Sequence, residues 1–151
     1  ANIVIADGKD FVANCTDKFD VIISDSTDPI GPGEVLFTSD FYADEKKCLN
    51  EGGIMVAQNG VPFMQGDEVT NTYQRLSKLY NEASFYVAPV PTYAGGFMSL
   101  AWATDDESLR KQTVEQIQAR YDAAGFDTRY YNPEVHVASF ALPNYIKVLM
   151  K

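Results

Sequence analysis

The sequence predicts an α/β open sheet, mostly parallel, that ends in an antiparallel C-terminal hairpin. Short apolar runs rich in Ile and Val alternate with segments whose apolar residues recur at helical spacing. The last two apolar runs are separated only by a loop containing Pro and Gly at 91–96, which is typical of an antiparallel hairpin. With 151 residues and 46% hydrophobic content, the chain corresponds to one domain with a sizeable core.

Five strands are predicted because each is a short apolar run bounded by turn residues. The first two are each followed by an aspartate, and the second is apolar at consecutive positions, as in strands covered on both faces. The fourth and fifth are close enough in sequence to pair with each other. The predicted strands are Asn2–Ala6, Phe19–Ser24, Gly53–Gln58, Phe85–Val90 and Phe97–Ala103.

Helices are predicted between and after these strands from capping residues and apolar spacing. Before the first predicted helix, a Ser or Thr side chain can accept hydrogen bonds from the backbone amides of the first turn. Glycines follow the ends of the first and third predicted helices. The second has apolar residues on one face, so we expect that face to pack on the sheet. The predicted helices run from Thr38 or Ser39 to about Leu49, before Gly52-Gly53, from Asp67 to Ala83, from Asp105 or Asp106 to Gly125, and in a short tail that Pro143 breaks.

Charge and cysteine content argue against several function classes. Twelve basic and twenty-one acidic residues give a formal charge of −9, which disfavours a nucleic-acid partner and favours a cationic ligand. Cys15 and Cys48 form no C-x-x-C pair and His136 is the only histidine, so we expect free thiols, no metal site and a cytoplasmic location. No apolar run suits a membrane span and the N-terminus lacks a signal-peptide pattern, so no membrane association is expected.

Two aspartates three residues apart follow the apolar run of the second predicted strand directly. Paired carboxylates on a turn stiffened by Pro and Gly suit a cation or a proton transfer. In open α/β sheets, ligands bind outside the carboxyl ends of the strands. Polar residues stand at or just past four predicted strand ends, namely Asp7, Asp25, Gln58 and Tyr93. The sequence therefore predicts a binding site at this edge of the sheet.

Taken together, these segments resemble the spermidine synthases, the aminopropyltransferases of polyamine synthesis. The most specific match is the D-[ST]-x-D-P-x-G-P pattern at 25–32, and the matches follow family order along the chain. The similarity is closest to the bacterial type. The other matching segments are Ala6-Asp7-Gly8, Glu34 with Leu36-Phe37, Gly52-Gly53 with Gln58, Pro91-Thr92-Tyr93, Tyr130-Tyr131-Asn132-Pro133, His136 and Phe140-Ala141-Leu142-Pro143.

The resemblance implies a Rossmann-like sheet of the class I methyltransferase type. Family members carry an N-terminal β-domain, then a strand with a Gly-rich loop and a second strand, which together hold the sulfonium nucleoside. None of that pattern is found within the 151 residues. Residues 1–151 are therefore similar to the C-terminal portion of one catalytic domain, truncated of its first strands, and Asn2–Ala6 is expected to have an exposed edge.

By resemblance, the expected reaction transfers the aminopropyl group of decarboxylated S-adenosylmethionine to putrescine, giving spermidine and methylthioadenosine. The resemblance implies that Asp25 is the general base and a contact of the donor's ammonium group, and that Asp28 holds the diamine. It implies no cofactor besides this co-substrate, no metal, and a homo-oligomer, either a dimer or a tetramer. The other substrate-binding residues it implies are Asp7 and Gly8 for the adenine, Pro32 and Leu36 for the adenine-pocket wall, and Gln58 and Tyr93 for the diamine channel.

Two other functions stay open at this stage. A methyltransferase uses a similar sheet and a related sulfonium nucleoside, and a chain without the Gly-rich half can also be an inactive fragment. Structural alternatives stay open for single residues as well. Asp7 can cap a turn, Gln58 can complete backbone hydrogen bonding, and Tyr93 can pack in its loop.

The remaining chemically notable residues are expected to be structural. His136 has no carboxylate or cysteine near it in sequence, and Trp102 lies in an apolar strand, where we expect it to be buried. The acidic groups at 44–45, 67–68 and 105–107 are expected to be solvated charges at helix starts and on helix surfaces.

Overall fold

A computed structural model describes residues 1–151, in which four strands form one sheet with helices packed against it. The strands are β1 (Phe19–Ser24), β2 (Leu49–Gln58), β3 (Glu82–Pro89) and β4 (Phe97–Thr104). The helices are α1 (Gly8–Asn14), α2 (Ser39–Cys48), α3 (Gly66–Leu79), α4 (Val114–Ala124), α5 (Pro133–Ser139) and α6 (Asn144–Lys147), with 3₁₀ helices at Gly31–Phe37 and Leu109–Lys111. No helix is both long and apolar enough to cross a membrane.

The strand order is β1-β2-β4-β3, which confirms the predicted α/β open sheet and its C-terminal hairpin. β1 and β2 pair in parallel, whereas β4 is antiparallel to both of its neighbours, β2 and β3. The sheet is therefore mixed, with a smaller parallel part than expected, because β4 folds back between β2 and β3. Because β1 and β2 are parallel, their carboxyl ends lie at the same edge of the sheet.

One face of the sheet carries the hydrophobic core, and α2 and α3 lie on that face. Alternate residues of the strands point into it, since side chains in a strand alternate between faces. Met55 of β2, Phe85 of β3 and Ala101 of β4 are completely buried in one cluster with Val69 and Leu76 of α3. This packing fixes the position of α3 relative to the ends of the strands.

The opposite face of the sheet is only partly covered. Trp102 is buried there against Phe140, with ring centroids 5.8 Å apart, so its predicted place in the core is confirmed. Val21 and Ile23 of β1, by contrast, are 49% and 69% exposed. They lie on the side of β1 away from α2, so the consecutive apolar residues of this strand are covered on one face only.

The predicted strand Asn2–Ala6 is absent from the sheet. This segment pairs with no other strand, and Ile3 and Ile5 are 83% and 98% exposed. A run of β-branched residues favours an extended backbone, but it forms a strand only where another strand supplies hydrogen-bond partners. The chain then enters α1, a helix that was not predicted, immediately after Asp7.

The first predicted helix has its expected bounds, since Thr38 Oγ1 accepts a hydrogen bond from the backbone amide of Phe41 at 3.2 Å and the helix ends at Cys48, next to Leu49. Other predicted boundaries were wrong. β2 then runs through Gly52, whose φ of +71° is unfavourable for other residues. The last long helix begins only after Thr113, where a capping box forms, because a 3₁₀ helix precedes it.

The third predicted helix ends before Gly125, as expected, and the tail is broken at Pro143 into α5 and α6. Gly125 has a φ of +63°, the left-handed conformation that commonly follows a helix. Cys15 and Cys48 are both free thiols, as predicted from the sequence.

Candidate functional site

The acidic segment 25–28 and Gln58 leave the sheet side by side. Ser24 of β1 is paired in parallel register with Ala57 of β2. The next residues are therefore Asp25, directly after β1, and Gln58, the last residue of β2, and the chain runs in the same direction at both. The register of one parallel pair thus brings together two residues that are 33 positions apart in the sequence.

The turn after Asp25 is held against the following 3₁₀ helix. The amide of Ile30 donates a hydrogen bond to the carbonyl of Asp28 at 2.7 Å. A Cβ atom added at Gly33 would lie 2.7 Å from Thr27 Oγ1 and 3.0 Å from the Asp28 carbonyl oxygen. Only glycine allows this approach, so the turn has a defined position at the edge of the sheet.

A cavity of about 290 Å³ opens at this edge. Its polar lining includes four of the predicted site residues, Asp25, Asp28, Gln58 and Tyr93, together with Gln65, which directly precedes α3. Asp25 and Asp28 are exposed rather than packed into protein, and neither makes an ion pair with another side chain. Two carboxylates without protein cations can accept positive charge from a ligand.

Gln58 has an unusual environment for a glutamine at the end of a strand. It is only 8% exposed, and its side-chain Oε1 has no hydrogen-bond partner. Leaving a buried acceptor unsatisfied costs about 1–3 kcal/mol. The predicted alternative, that Gln58 completes backbone hydrogen bonding, does not account for this oxygen.

The segment after Gln58 is fixed by contacts with β4 and α3. The amide of Asn59 donates to the carbonyl of Ser99 at 3.0 Å, and Ser99 Oγ donates to the carbonyl of Asn59 at 2.9 Å. Asn59 Nδ2 donates to Thr72 Oγ1 of α3 at 3.1 Å. This buried network sets the direction in which residues 59–61 leave the sheet.

Tyr93 lies in the loop that joins β3 to β4 and is 50% exposed. The Tyr93 amide donates to the carbonyl of Val90 at 3.0 Å, which forms a turn within the loop. A Cβ added at Gly95, whose φ is +111°, would meet Val61 Cγ1 at 2.7 Å. This close contact holds the loop over the segment that follows Gln58, so Tyr93 reaches the cavity from the side opposite the acidic turn.

The four residues assigned to the adenine lie outside this cavity. Asp7 caps α1, since its Oδ1 accepts hydrogen bonds from the amides of Lys9 at 2.9 Å and Asp10 at 3.1 Å. Both bonds go to Oδ1, so Oδ2 is unbonded. A Cβ added at Gly8 would lie 3.6 Å from Leu36 Cδ2, so α1 and the 3₁₀ helix that contains Pro32 and Leu36 are neighbours.

Glu68 was predicted to be a solvated charge, but it is half-buried and borders a neighbouring polar cavity rather than this one. Gln65 Nε2 donates to Glu68 Oε1 at 2.8 Å, and Gln65 Oε1 accepts from the amide of Val61 at 2.7 Å. Glu68 Oε2 is buried without a partner. Burial, and to a lesser extent the negative charge of Asp28, raise the pKa of Glu68.

Glu45 of α2 was also predicted to be a solvated charge and is completely buried. Ser24 Oγ donates a hydrogen bond of 2.7 Å to Glu45 Oε1, and Oε2 has no partner. Burial raises the pKa of Glu45 to about 7, and the bond from Ser24 offsets only part of this effect. Ser24 directly precedes Asp25, so Glu45 lies behind the acidic turn and outside the cavity.

His136 lies away from the cavity, in an apolar groove of about 350 Å³ on the partly covered face of the sheet. Its Nδ1 is 3.2 Å from the Tyr131 hydroxyl group, and burial lowers the pKa of its imidazole. No three His, Cys, Asp or Glu side chains meet in the geometry of a metal site.

Comparisons with known proteins agree with this arrangement. A family model described as the spermine/spermidine synthase domain matches residues 1–116. The polyamine aminopropyltransferase of Salmonella arizonae is 57% identical over 144 residues, which are 95% of this chain and 50% of that protein. The polyamine aminopropyltransferase of Pectobacterium carotovorum is 54% identical over 145 residues, 96% of this chain and 50% of that protein. The chain thus spans about half the length of the curated relatives it matches.

Solved structures show the same relation. A spermidine synthase crystallised with the transition-state analogue AdoDATO superimposes with a TM-score of 0.87 at 36% identity, covering 99% of this chain and 50% of that one. The spermidine synthase of Thermotoga maritima gives a TM-score of 0.82 at 32% identity, over 99% of this chain and 48% of that one. This chain therefore belongs to the spermine/spermidine synthase domain family.

Proposed function

We propose that this chain supplies the acceptor side of an aminopropyltransferase active site that makes spermidine from putrescine and decarboxylated S-adenosylmethionine. The observation that carries the proposal is the cavity that Asp25, Asp28, Gln58 and Tyr93 line together. Its charged groups are the two carboxylates, which suits a cationic amine. Because the chain belongs to the spermine/spermidine synthase domain family, aminopropyl transfer is the reaction we propose.

The chemistry requires an unprotonated amine. An alkyl ammonium has a pKa near 10, so only about one amine in a thousand is free to react at neutral pH. In the proposed step, the nitrogen lone pair attacks the propyl carbon next to the sulfonium, the carbon–sulfur bond breaks, and sulfur leaves as a neutral thioether. Asp25 accepts the proton lost by the amine, and Asp28 holds the diamine in line with this carbon.

The donor would bind beside the cavity rather than in it. Asp7, whose Oδ2 is unbonded, would accept a hydrogen bond from the adenine amino group, and Gly8 would allow close approach of the backbone. Pro32 and Leu36 would form the apolar wall, while Gln58 and Tyr93 would line the path of the diamine. This division matches the two separate places that these residues occupy.

The test is turnover by a complete enzyme, made by joining this sequence to the N-terminal half of the Salmonella arizonae relative. Spermidine and methylthioadenosine are measured by mass spectrometry, and the 151-residue chain alone is assayed beside it to test the inactive-fragment alternative. We expect Asp25→Asn to lower kcat by about 10²–10⁴-fold. Asp17→Asn, an exposed position before β1, is the matched control and should leave kcat unchanged.

An Asp25→Asn enzyme with undiminished kcat would disprove the assigned base. Methylated product from S-adenosylmethionine, without spermidine from the decarboxylated donor, would establish the methyltransferase alternative instead. We also propose that the complete enzyme is a cytoplasmic homo-oligomer, which is consistent with the two free thiols at Cys15 and Cys48. Light scattering of the complete enzyme measures its oligomeric state.

A further inference from the structure

The two cysteines are 33 positions apart in the sequence but lie at one place in the fold. The amide of Cys15 and the thiol of Cys48 both donate to the same acceptor, the carbonyl oxygen of Val12, each at 3.4 Å. Cys48 is the last residue of α2, and Cys15 directly follows α1. A shared hydrogen-bond acceptor therefore holds the sulfur of one cysteine close to the backbone of the other.

The chain that follows Cys15 runs alongside the end of α2. Phe19 is paired with Leu49 at the start of the contact between β1 and β2. Next to this pair, Lys18 Nζ donates a hydrogen bond to the carbonyl of Lys47. These contacts lie within four residues of both cysteines, so the two thiols stay near each other without a covalent bond between them.

The two thiols differ in accessibility. Cys48 is 2% exposed, whereas Cys15 is half-buried and lies in a segment without regular structure. Burial raises the pKa of the Cys48 thiol, and the neighbouring Cys15 thiol adds to this rise. The ammonium group of Lys18 offsets part of the rise, because a positive charge favours the thiolate. Cys15 is therefore the thiol that an external oxidant reaches first, and Cys48 is placed to react second.

We propose that Cys15 and Cys48 are a reversible oxidation site, which a small disulfide such as oxidised glutathione converts to an intramolecular disulfide. The Cys15 thiolate attacks one sulfur of the oxidant, which releases one glutathione and leaves the other bonded to Cys15. The Cys48 thiolate then attacks Cys15 Sγ, and the second glutathione leaves. Two protein thiols are oxidised, one glutathione disulfide is reduced to two glutathione thiols, and these take up the two protons that the cysteines lose.

The disulfide would tie α1 to the core. This helix has no buried residue, and its first turn is capped by Asp7. Closing a loop of about 33 residues restricts the unfolded chain and should favour the folded state by about 10²–10³-fold. Oxidation would therefore hold α1, with Asp7 at its N-terminus, against the end of α2. The inference goes beyond the proposed function and does not depend on it.

The test follows the thiols of the 151-residue chain in a glutathione redox buffer. Reduced wild type, Cys15→Ser and Cys48→Ser are incubated with oxidised glutathione, quenched with acid and measured by intact mass spectrometry and non-reducing peptide mapping. We expect the wild type to lose two hydrogen atoms without retaining glutathione, and to regain them in dithiothreitol. Cys48→Ser should stop at one glutathione adduct on Cys15. Cys15→Ser should react at least about tenfold more slowly than Cys48→Ser, because its remaining thiol is buried.

Urea unfolding checks the consequence for α1. Oxidation should raise the unfolding midpoint of the wild type by about 1–2 M and leave that of Cys15→Ser unchanged. If Cys48→Ser does not fold, Cys48→Ala replaces it with a smaller apolar side chain. A lasting glutathione adduct on the wild type, a disulfide between two chains, or two intact thiols in excess oxidant would overturn the proposal. An intramolecular disulfide without a rise in the midpoint would overturn the claim that oxidation ties α1 to the core.

Discussion

Replacing Glu45 by Gln should remove most of the pH dependence of stability between pH 5 and 8. Glu45 is completely buried in α2, and its only hydrogen bond comes from Ser24 Oγ. Around it, the hydroxyl groups of Tyr42 and Tyr80 are buried without partners. Burial is also the main cause that raises the pKa of Tyr42 to about 12 and that of Tyr80 still further, so this pocket disfavours negative charge.

The magnitude follows from the two states of the carboxyl group. Burial raises the pKa of Glu45 from an ordinary 4.5 to about 7 in the folded chain. Between these values the folded state binds a proton that the unfolded state has lost, so the free energy of unfolding falls as pH rises. At about 1.4 kcal/mol per tenfold difference in proton affinity, the stability lost above pH 7 is about 3 kcal/mol. This is a large part of the 5–15 kcal/mol typical of a domain.

A glutamine at position 45 has nearly the shape of the protonated glutamic acid and does not titrate. We therefore expect Glu45→Gln to match the wild type near pH 5 and to exceed its stability at pH 8 by about 2–3 kcal/mol. Urea unfolding of the 151-residue chain, followed by circular dichroism from pH 5 to 8.5, measures both curves. Glu51→Gln, at an exposed position in β2, is the matched control and should run parallel to the wild type.

His136 titrates in the same range but with the opposite sign. Burial lowers the pKa of its imidazole, so the unfolded state binds more protons and stability rises with pH through that window. Because His136 is present in all three proteins, the difference between wild type and Glu45→Gln isolates the carboxyl group. Parallel curves for these two proteins would refute the reasoning, since Glu45 would then titrate equally in the folded and unfolded states.

Two further predictions concern backbone geometry. Gly33→Ala places a methyl group 2.7 Å from Thr27 Oγ1 and 3.0 Å from the Asp28 carbonyl oxygen, and should lower the free energy of unfolding by about 1–3 kcal/mol in urea titrations; an unchanged midpoint would show that the acidic turn moves freely. Thr113→Ala removes the oxygen that accepts the Gln116 amide in the capping box of α4, and should cost about 1 kcal/mol in the same assay. An unchanged free energy of unfolding would show that the capping hydrogen bonds stabilise the helix no more than hydrogen bonds to water do.

The sequence predicted the existence of β1 to β4 because their apolar runs are local patterns that survive into the fold. The prediction failed where pairing with a neighbouring strand decides whether a segment forms a strand. Asn2–Ala6 has the composition of a strand but no neighbouring strand in the structure. The start of β2 was missed for the opposite reason. Pairing of Phe19 with Leu49, and an irregular register before Val21, carry the strand back through Gly52, which composition alone marks as a turn.

Much of the acceptor site was predictable because strand ends of an open sheet share one edge. That rule predicts that Asp25, Gln58 and Tyr93 lie close together, and the cavity they line agrees with it. The rule did not place Asp7, which ends no strand here and caps α1 instead. A residue predicted from strand ends is therefore only as secure as the strand that precedes it.

The burial of Glu45 and Glu68 was not predicted, although the sequence contains a signal for it. The sequence predicts both as solvated charges, because acidic residues near a helix start suit the helix dipole. Yet Glu45 is four residues after Phe41 and three before Cys48, and both of these are buried. Glu68 is four residues before the buried Thr72. Helical spacing to apolar or small residues puts each glutamate on the inner face of its helix.

A buried carboxyl group needs a compensating proton, hydrogen bond or cation. The structure separates the two glutamates by this requirement. Glu45 faces Ser24 and the pocket around two tyrosine hydroxyls, with no opening to a ligand, so a proton is its means of neutralisation. Glu68 accepts a hydrogen bond from Gln65 and borders a neighbouring polar cavity that Arg75 also lines. The same residue type in the same helical phase thus depends on a proton in one helix, and in the other on a hydrogen bond from Gln65 beside a polar cavity that a basic side chain lines.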